Sequence, residues 1–167
     1  MIIIGIDPGM GGGIAALNHD GSLMDDIYHM PLKAGKTGSV VDGRSLAYIL
    51  CKMRSNNGVH VHAYVEAVAS RPRQAGVFQF GLNTGIVHGV LDACGIEFTL
   101  VAPARWKAMH GLKRREGESQ ASQKTAAREL AARLWPDHAS KFARVKDDGV
   151  AEAALIALYG YHQNQQP

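Results

Sequence analysis

Four acidic residues occupy positions where acids are costly. Asp7 ends an apolar run, IIIGID at residues 2–7, on the same side as Ile3 and Gly5. Glu66 ends the alternating run VHVHAYVE at residues 59–66, on the side shared with His60, His62 and Tyr64. Asp148 and Glu152 are four apart in the small-residue segment DDGVAEAALIA at 147–157, and therefore lie on one face of a helix. An unpaired buried carboxylate is expensive, and like charges at this spacing repel unless a cation sits between them. Brought together, Asp7, Glu66, Asp148 and Glu152 make a four-carboxylate cage. Oxygen donors without cysteine suit a hard divalent ion, Mg²⁺ or Mn²⁺, better than zinc.

Each position also has a plainer use. Asp7 precedes Pro8-Gly9 and fits a turn closed by its own side chain; Asp147 and Asp148 fit the start of a helix, where carboxylates cap amides and meet the dipole. Gly11, Gly12 and Gly13 leave open space beside Asp7. The polar side of 59–66 fits a solvated strand face. His60 and His62 have the spacing of a metal pair, but with no third ligand nearby they read as solvent-facing.

The elements that must position these acids follow from periodicity and punctuation. Residues 2–7, 14–18 and 22–30 read as three antiparallel strands, the last two joined at His19-Asp20-Gly21. Residues 31–43 read as a flexible, glycine-containing connection, and Arg44 to Arg54 as a helix carrying Leu46, Ile49, Leu50 and Met53. The strand ending at Glu66 leads through a polar loop with Arg71 and Arg73 into a glycine-studded helix over 75–94, where Gly81, Gly85 and Gly89 allow close approach. A strand at 96–102, a short helix opened by Pro103, a charged loop at 111–118, a helix from Ser119 to Leu134 and a last helix from about Asp147 to Tyr161 complete the chain. Strand–helix–strand crossovers build parallel neighbours. The expected fold is α/β, a ribonuclease-H-like mixed five-stranded sheet of three antiparallel plus parallel strands flanked by helices, in one domain over 1–167 with a polar tail from about 162.

Composition excludes several classes. With 167 residues, 46% hydrophobic and 20% charged, the chain is sized for one domain with a substantial core. No apolar run approaches the roughly 20 residues of a membrane span, and the start lacks a charged leader. Cys51 and Cys94 are the two cysteines and lack CxxC spacing, which argues against a disulfide framework or a Cys-rich zinc site and for a reduced intracellular compartment. The net charge of +3 hides an asymmetry: from Val101 to Lys146 eleven basic residues face four acids, a local +7, against −4 elsewhere. A basic third beside an acidic remainder points to a polyanion partner.

In order along the chain, IGIDPG (4–9), VEAV (65–68), FQFGLNTGIVHGVL (78–91), VAPARWKAMHG (101–111) and DDGVAEAALIA (147–157) resemble the RuvC family of Holliday-junction resolvases. The resemblance implies a cytoplasmic, homodimeric endonuclease of a bacterial or phage-infected cell. It would cut opposing strands of a four-way junction by metal-dependent phosphodiester hydrolysis, with about two Mg²⁺ or Mn²⁺ ions per site and no nucleotide cofactor or membrane. It assigns Asp7, Glu66, Asp148 and Glu152 to catalysis and metal binding. The family often places its last two acids three apart, both Asp; here Asp148 and Glu152 are four apart, and Asp147 stands as the alternative to Asp148.

Lys107 and Lys124 would neutralise phosphates near the scissile bond, with Arg105, Lys113, Arg114, Arg115, Arg71 and Arg73 on the flanking backbone. Ala69 and Ser70 stand where the family tends to carry an aromatic that rests on bases, a role open here to Phe78 or Phe80. Three competing activities remain: an endonuclease acting more broadly on forks and flaps, a non-catalytic DNA-binding module of the same fold, and an actin-like kinase using Asp7 and Gly11–Gly13 around ATP. The kinase needs two domains to close over its nucleotide.

Overall fold

The computed structural model describes the chain except residues 36–37, 56–59, 68–75, 114–116, 118 and 166–167, and omits the side chains of residues 55 and 120. Its centre is a five-stranded sheet built from β1 (Ile2–Asp7), β2 (Gly13–Leu17), β3 (Leu23–His29), β6 (Val61–Glu66) and β7 (Glu97–Val101), in the order β3-β2-β1-β6-β7. The first three strands are antiparallel, and β6 and β7 run parallel to β1. This is the mixed sheet that the crossover pattern predicts. One element differs: part of the presumed flexible connection is a separate antiparallel pair, β4 (Leu32–Gly35) with β5 (Gly38–Val41). Two of the glycines in that connection, Gly35 and Gly38, pair with each other across it, Gly38 at φ 115°.

Alternation along the strands sends side chains to two cores. On one face Ile4, Ile6, Ile14, Ala63 and Val65 pack under α1 (Gly43–Ser55) and α2 (Val77–Ala93). On the other, Ile3, Ala15, Leu17 and Tyr64 meet α5 (Asp148–Asn164). Tyr64 is buried there, so this side of β6 is covered rather than solvated. Outside α5 lie α3 (Pro103–Met109), α4 (Gln120–Leu134) and a 3₁₀ turn at Pro136–Phe142, which contribute Trp106, Ala127, Ala131 and Phe142. The last helix is thus enclosed on both sides, which is why it reads as small and apolar almost throughout. It runs to Asn164, past the expected end near Tyr161, and the Asn164 side-chain amide donates to Tyr64 Oη at 2.9 Å.

The close fit of α5 on the sheet depends on missing side chains. A Cβ on Gly5 would lie 2.0 Å from the Ala153 carbonyl oxygen and 2.4 Å from the Ala157 nitrogen. One on Gly149 would lie 2.1 Å from the Gly11 carbonyl oxygen, and Gly12 and Gly149 are bridged backbone to backbone. Gly13 likewise admits the helix, with Val150 Cα 2.7 Å from where its Cβ would lie, and Gly12 packs against the Asp7 carbonyl, so neither leaves space beside Asp7. In contrast, Gly81, Gly85 and Gly89 on α2 face nothing within 4 Å among the described residues.

Cys51 on α1 and Cys94 at the end of α2 are free thiols. They meet with sulfurs 2.8 Å apart, although nothing in their spacing announces it. Burial above all pushes the Cys94 thiol up to about 12. Among the described residues no helix is long and apolar enough to cross a membrane.

Gly5→Ala sets a side chain against helix backbone that cannot rotate away, so it is expected to cost about 2–4 kcal/mol. Gly11→Ala, whose Cβ meets nothing within 4 Å, serves as the control and should change stability by less than about 0.5 kcal/mol. Urea unfolding of the two variants checks the contrast; equal stabilities would contradict it.

Candidate active site

Asp7 and Glu66 end adjacent parallel strands, one step beyond the Ile6–Val65 pair. The α5 backbone crosses close above them because of Gly5, and Glu152 is the one charged side chain on that helix between Asp148 and His162. The three carboxylates feel each other strongly. Burial first, and then the Glu152 charge, raise Asp7 to about 6, against a weaker downward pull from the Gly9 N–H, Lys124 and Lys107. Burial, Asp7 and Glu152 raise Glu66 to about 8, with Lys107 and the Trp106 indole working the other way. The Asp7 carboxylate also accepts the Gly9 N–H at 3.1 Å, so it closes the Asp-Pro-Gly turn while lying in the cluster.

Two lysines border these acids, each delivered by an outer helix. Pro103 starts α3 directly after β7. The helix buries Trp106 and sets the Lys107 ammonium 3.2 Å from Glu152 Oε1 and 4.9 Å from the centre of the Trp106 ring. His110 Nε2 lies 2.8 Å from the Leu155 carbonyl, tying the end of α3 to α5. The Ser119 hydroxyl caps α4 through the Ser122 N–H, and Ala127 and Ala131 fix the inward side of that helix. One turn apart on α4, Lys124 lies 3.4 Å from Asp148 Oδ2 and Arg128 2.8 Å from Asp148 Oδ1. Arg128 is absent from the residues singled out in sequence; its spacing of four from Lys124 is the signal that it shares that face.

Asp147 and Asp148 part company at the start of α5. The Asp147 side chain is fully buried and bound by Arg144, whose N–H donates to Oδ2 at 2.8 Å and whose guanidinium donates to Oδ1 at 2.9 Å; His29 Nε2 is 3.3 Å away. Burial resists ionisation, but Arg144 outweighs it and holds this carboxyl below its ordinary value. Asp148 instead faces Lys124, the same lysine that acts on Asp7.

The predicted basic residues divide. Lys107 and Lys124 flank the carboxylates. Arg105 points elsewhere, lining a cavity of about 170 Å³ with Tyr64, Leu100, Tyr159 and Gln163. Lys113 is exposed beyond α3. Arg71, Arg73, Arg114 and Arg115, like Ala69 and Ser70, lie outside the described residues. Phe78 is 83% exposed at the start of α2, and Phe80 is half-buried.

The donor set fits hard divalent cations. Asp7, Glu66 and Glu152 offer oxygen donors of the kind such ions take, and the nearby Lys107 does not remove their mutual repulsion. Acids ending two parallel strands and facing an acid on the helix that crosses them, in this sheet order, define the class: the fold is ribonuclease-H-like. Within that class the chain is similar to Thermus thermophilus RuvC. A RuvC in complex with a Holliday junction substrate superposes with a TM-score of 0.60 at 15% identity, covering 99% of this chain and 96% of that one. A second T. thermophilus RuvC structure gives 0.60 at 16% with the same coverage. The yeast mitochondrial Holliday junction resolvase gives 0.48 at 17%, covering 98% and 79%. No family model and no curated protein sequence matches the chain.

The raised carboxyls have a stability consequence. Above the ordinary Glu value the unfolded chain has released the Glu66 proton, whereas the folded protein keeps it until about pH 8. The folded state therefore binds more protons in this window, and this group's contribution to stability falls as pH rises through it. In chelator, Glu66→Gln is expected to match the unsubstituted protein near pH 5 and exceed it by a few kcal/mol near pH 8.5. Thermal unfolding across that range checks this; a difference independent of pH would refute it.

Proposed function

We propose that the protein is a metal-dependent, structure-selective DNA endonuclease that resolves four-way junctions by paired phosphodiester hydrolysis. The observation that carries this reading is the mutual influence of Asp7, Glu66 and Glu152, with Asp148 linked to Asp7 through Lys124, on a RuvC-like fold. Asp7, Glu66, Glu152 and Asp148 would hold the ions. Asp148 is preferred to Asp147 because both Asp147 oxygens are already engaged by Arg144. The chemistry supplied by Mg²⁺ or Mn²⁺ in such a site is activation of a water and stabilisation of the departing 3′ oxygen.

The chain's own contribution is to collect charge of both signs around one phosphate. The carboxylates of Asp7, Glu66 and Glu152 influence one another's charge, and cations would draw them together. Lys107 and Lys124, now paired with Glu152 and Asp148, are placed to turn to DNA phosphate once cations satisfy those acids. The mostly basic outer layer carrying α3 and α4 would track the backbone on either side, Lys113 included, with few base contacts.

Paired cuts require two sites, and α2 offers a surface for a homodimer. Phe78 and Leu82 are exposed on it, 83% and 43%, and Gly81, Gly85 and Gly89 form a line free of side chains. Such a line would let a second copy approach closely.

A synthetic four-way junction incubated with the protein and Mg²⁺ should be nicked symmetrically in opposing strands. Asp7→Asn and Glu66→Gln should each lower the cleavage rate by about 100-fold or more while leaving junction binding intact. Lys107→Ala should slow cleavage and flatten the salt dependence of binding. A junction left intact in both Mg²⁺ and Mn²⁺ over several sequences would overturn the proposal. Equal cleavage of forks and flaps would broaden it to branched DNA in general.

A further inference from the structure

We propose that His60, His62 and Glu97 form a metal site separate from the carboxylate cluster, for a borderline divalent cation of the zinc class. Donor atoms of the three side chains lie within 4.8 Å of one another. The backbone brings them together by register. His62 pairs with Glu97 across the parallel β6–β7 ladder, and His60 stands two residues before His62 on the same side, its carbonyl anchored by the Ile2 N–H at 2.9 Å. The site lies at the N-terminal ends of these strands, His62 being about 13 Å along β6 from Glu66.

The donors select the ion class. Two imidazoles and one carboxylate make the three-ligand set on which Zn²⁺ and its neighbours bind with one coordination position left over. Asp7, Glu66 and Glu152 offer oxygen alone and favour a harder ion. His62 Nε2 is 2.9 Å from Thr99 Oγ1, an outer partner of the kind that orients a ligating imidazole and leaves Nδ1 as the free donor. His60 and Glu97 are exposed, so small side-chain rotations can close 4.8 Å to the separation a tetrahedral ion requires.

His60 and Glu97 also line a cavity of about 290 Å³ together with Arg54, Val61 and Gly95. Arg54 donates to the Cys94 carbonyl at its edge, so an anion completing the coordination would have a cationic neighbour. A bound ion would clamp the edge strand β7 to β6 and stabilise the folded protein in proportion to its occupancy.

The test uses the full chain, stripped with chelator and held in excess Mg²⁺ so that the carboxylate cluster is saturated. Zn²⁺ titrated by calorimetry should bind at one equivalent and raise Tm, and Co²⁺ should develop the visible absorption of a low-symmetry nitrogen and oxygen site. His60→Ala and Glu97→Gln, both at exposed positions, should weaken Zn²⁺ binding at least about tenfold and abolish the Tm gain. Asp7→Asn should change neither. Absence of saturable Zn²⁺ binding, binding untouched by His60→Ala, or binding lost in Asp7→Asn would each overturn the proposal. The result is independent of junction cleavage.

Discussion

The contact on which this structure turns is backbone against backbone, where α5 presses onto β1 and the loop after it. Gly5 lets the helix settle so low that any Cβ there would overlap the Ala153 carbonyl. Gly12 and Gly149 repeat the device at the helix start. Only at this separation can Glu152 share a space with Asp7 and Glu66. A larger side chain at Gly5 would lift the helix and separate the acids even though all of them remained. The alanines that flank Glu152 serve the same end, filling the interface with the least bulk.

Burying these carboxylates, and then setting them near one another, has an electrostatic cost, visible in the raised affinity of Asp7 and Glu66 for protons. The surrounding layer limits it. Lys107 rests on Trp106 and reaches Glu152, while Lys124 and Arg128 meet Asp148. The basic stretch is therefore more than a solvated face: part of it is turned inward against acids. The small net charge of the chain is the sum of these opposing groups, and bound cations would free the inward-facing bases for a polyanion.

Much of the architecture was legible because it rests on local pattern. The three opening strands, the strand ending at Glu66, the helix starting near Ser119 and the small-residue final helix all lie close to where periodicity puts them. The misreadings have a common origin. The connection at 31–43 contains a strand pair because glycine sits in a paired strand end as readily as in a loose linker. Gly12 and Gly13 were expected to leave space beside Asp7 and instead lie against the Asp7 carbonyl and the helix, whereas Gly81, Gly85 and Gly89 meet nothing among the described residues and stay free for approach from outside. Whether a glycine permits a turn, an approach or nothing depends on what faces it, and that is not local information.

The sequence by itself determined which acids end strands, which share a helical face, and that the basic residues concentrate in one third of the chain, since each follows from residue order and period. Tertiary structure alone decided how they combine. It turned Asp147 inward to Arg144 and Asp148 outward to Lys124 and Arg128, though the two are adjacent and chemically identical. It brought the free thiols of Cys51 and Cys94 together, and it set Glu97 beside His60 and His62, a neighbour that the spacing of the two histidines could not supply. The reason is physical: strand register and helix crossing fix distances between residues far apart in sequence, and no local period encodes them.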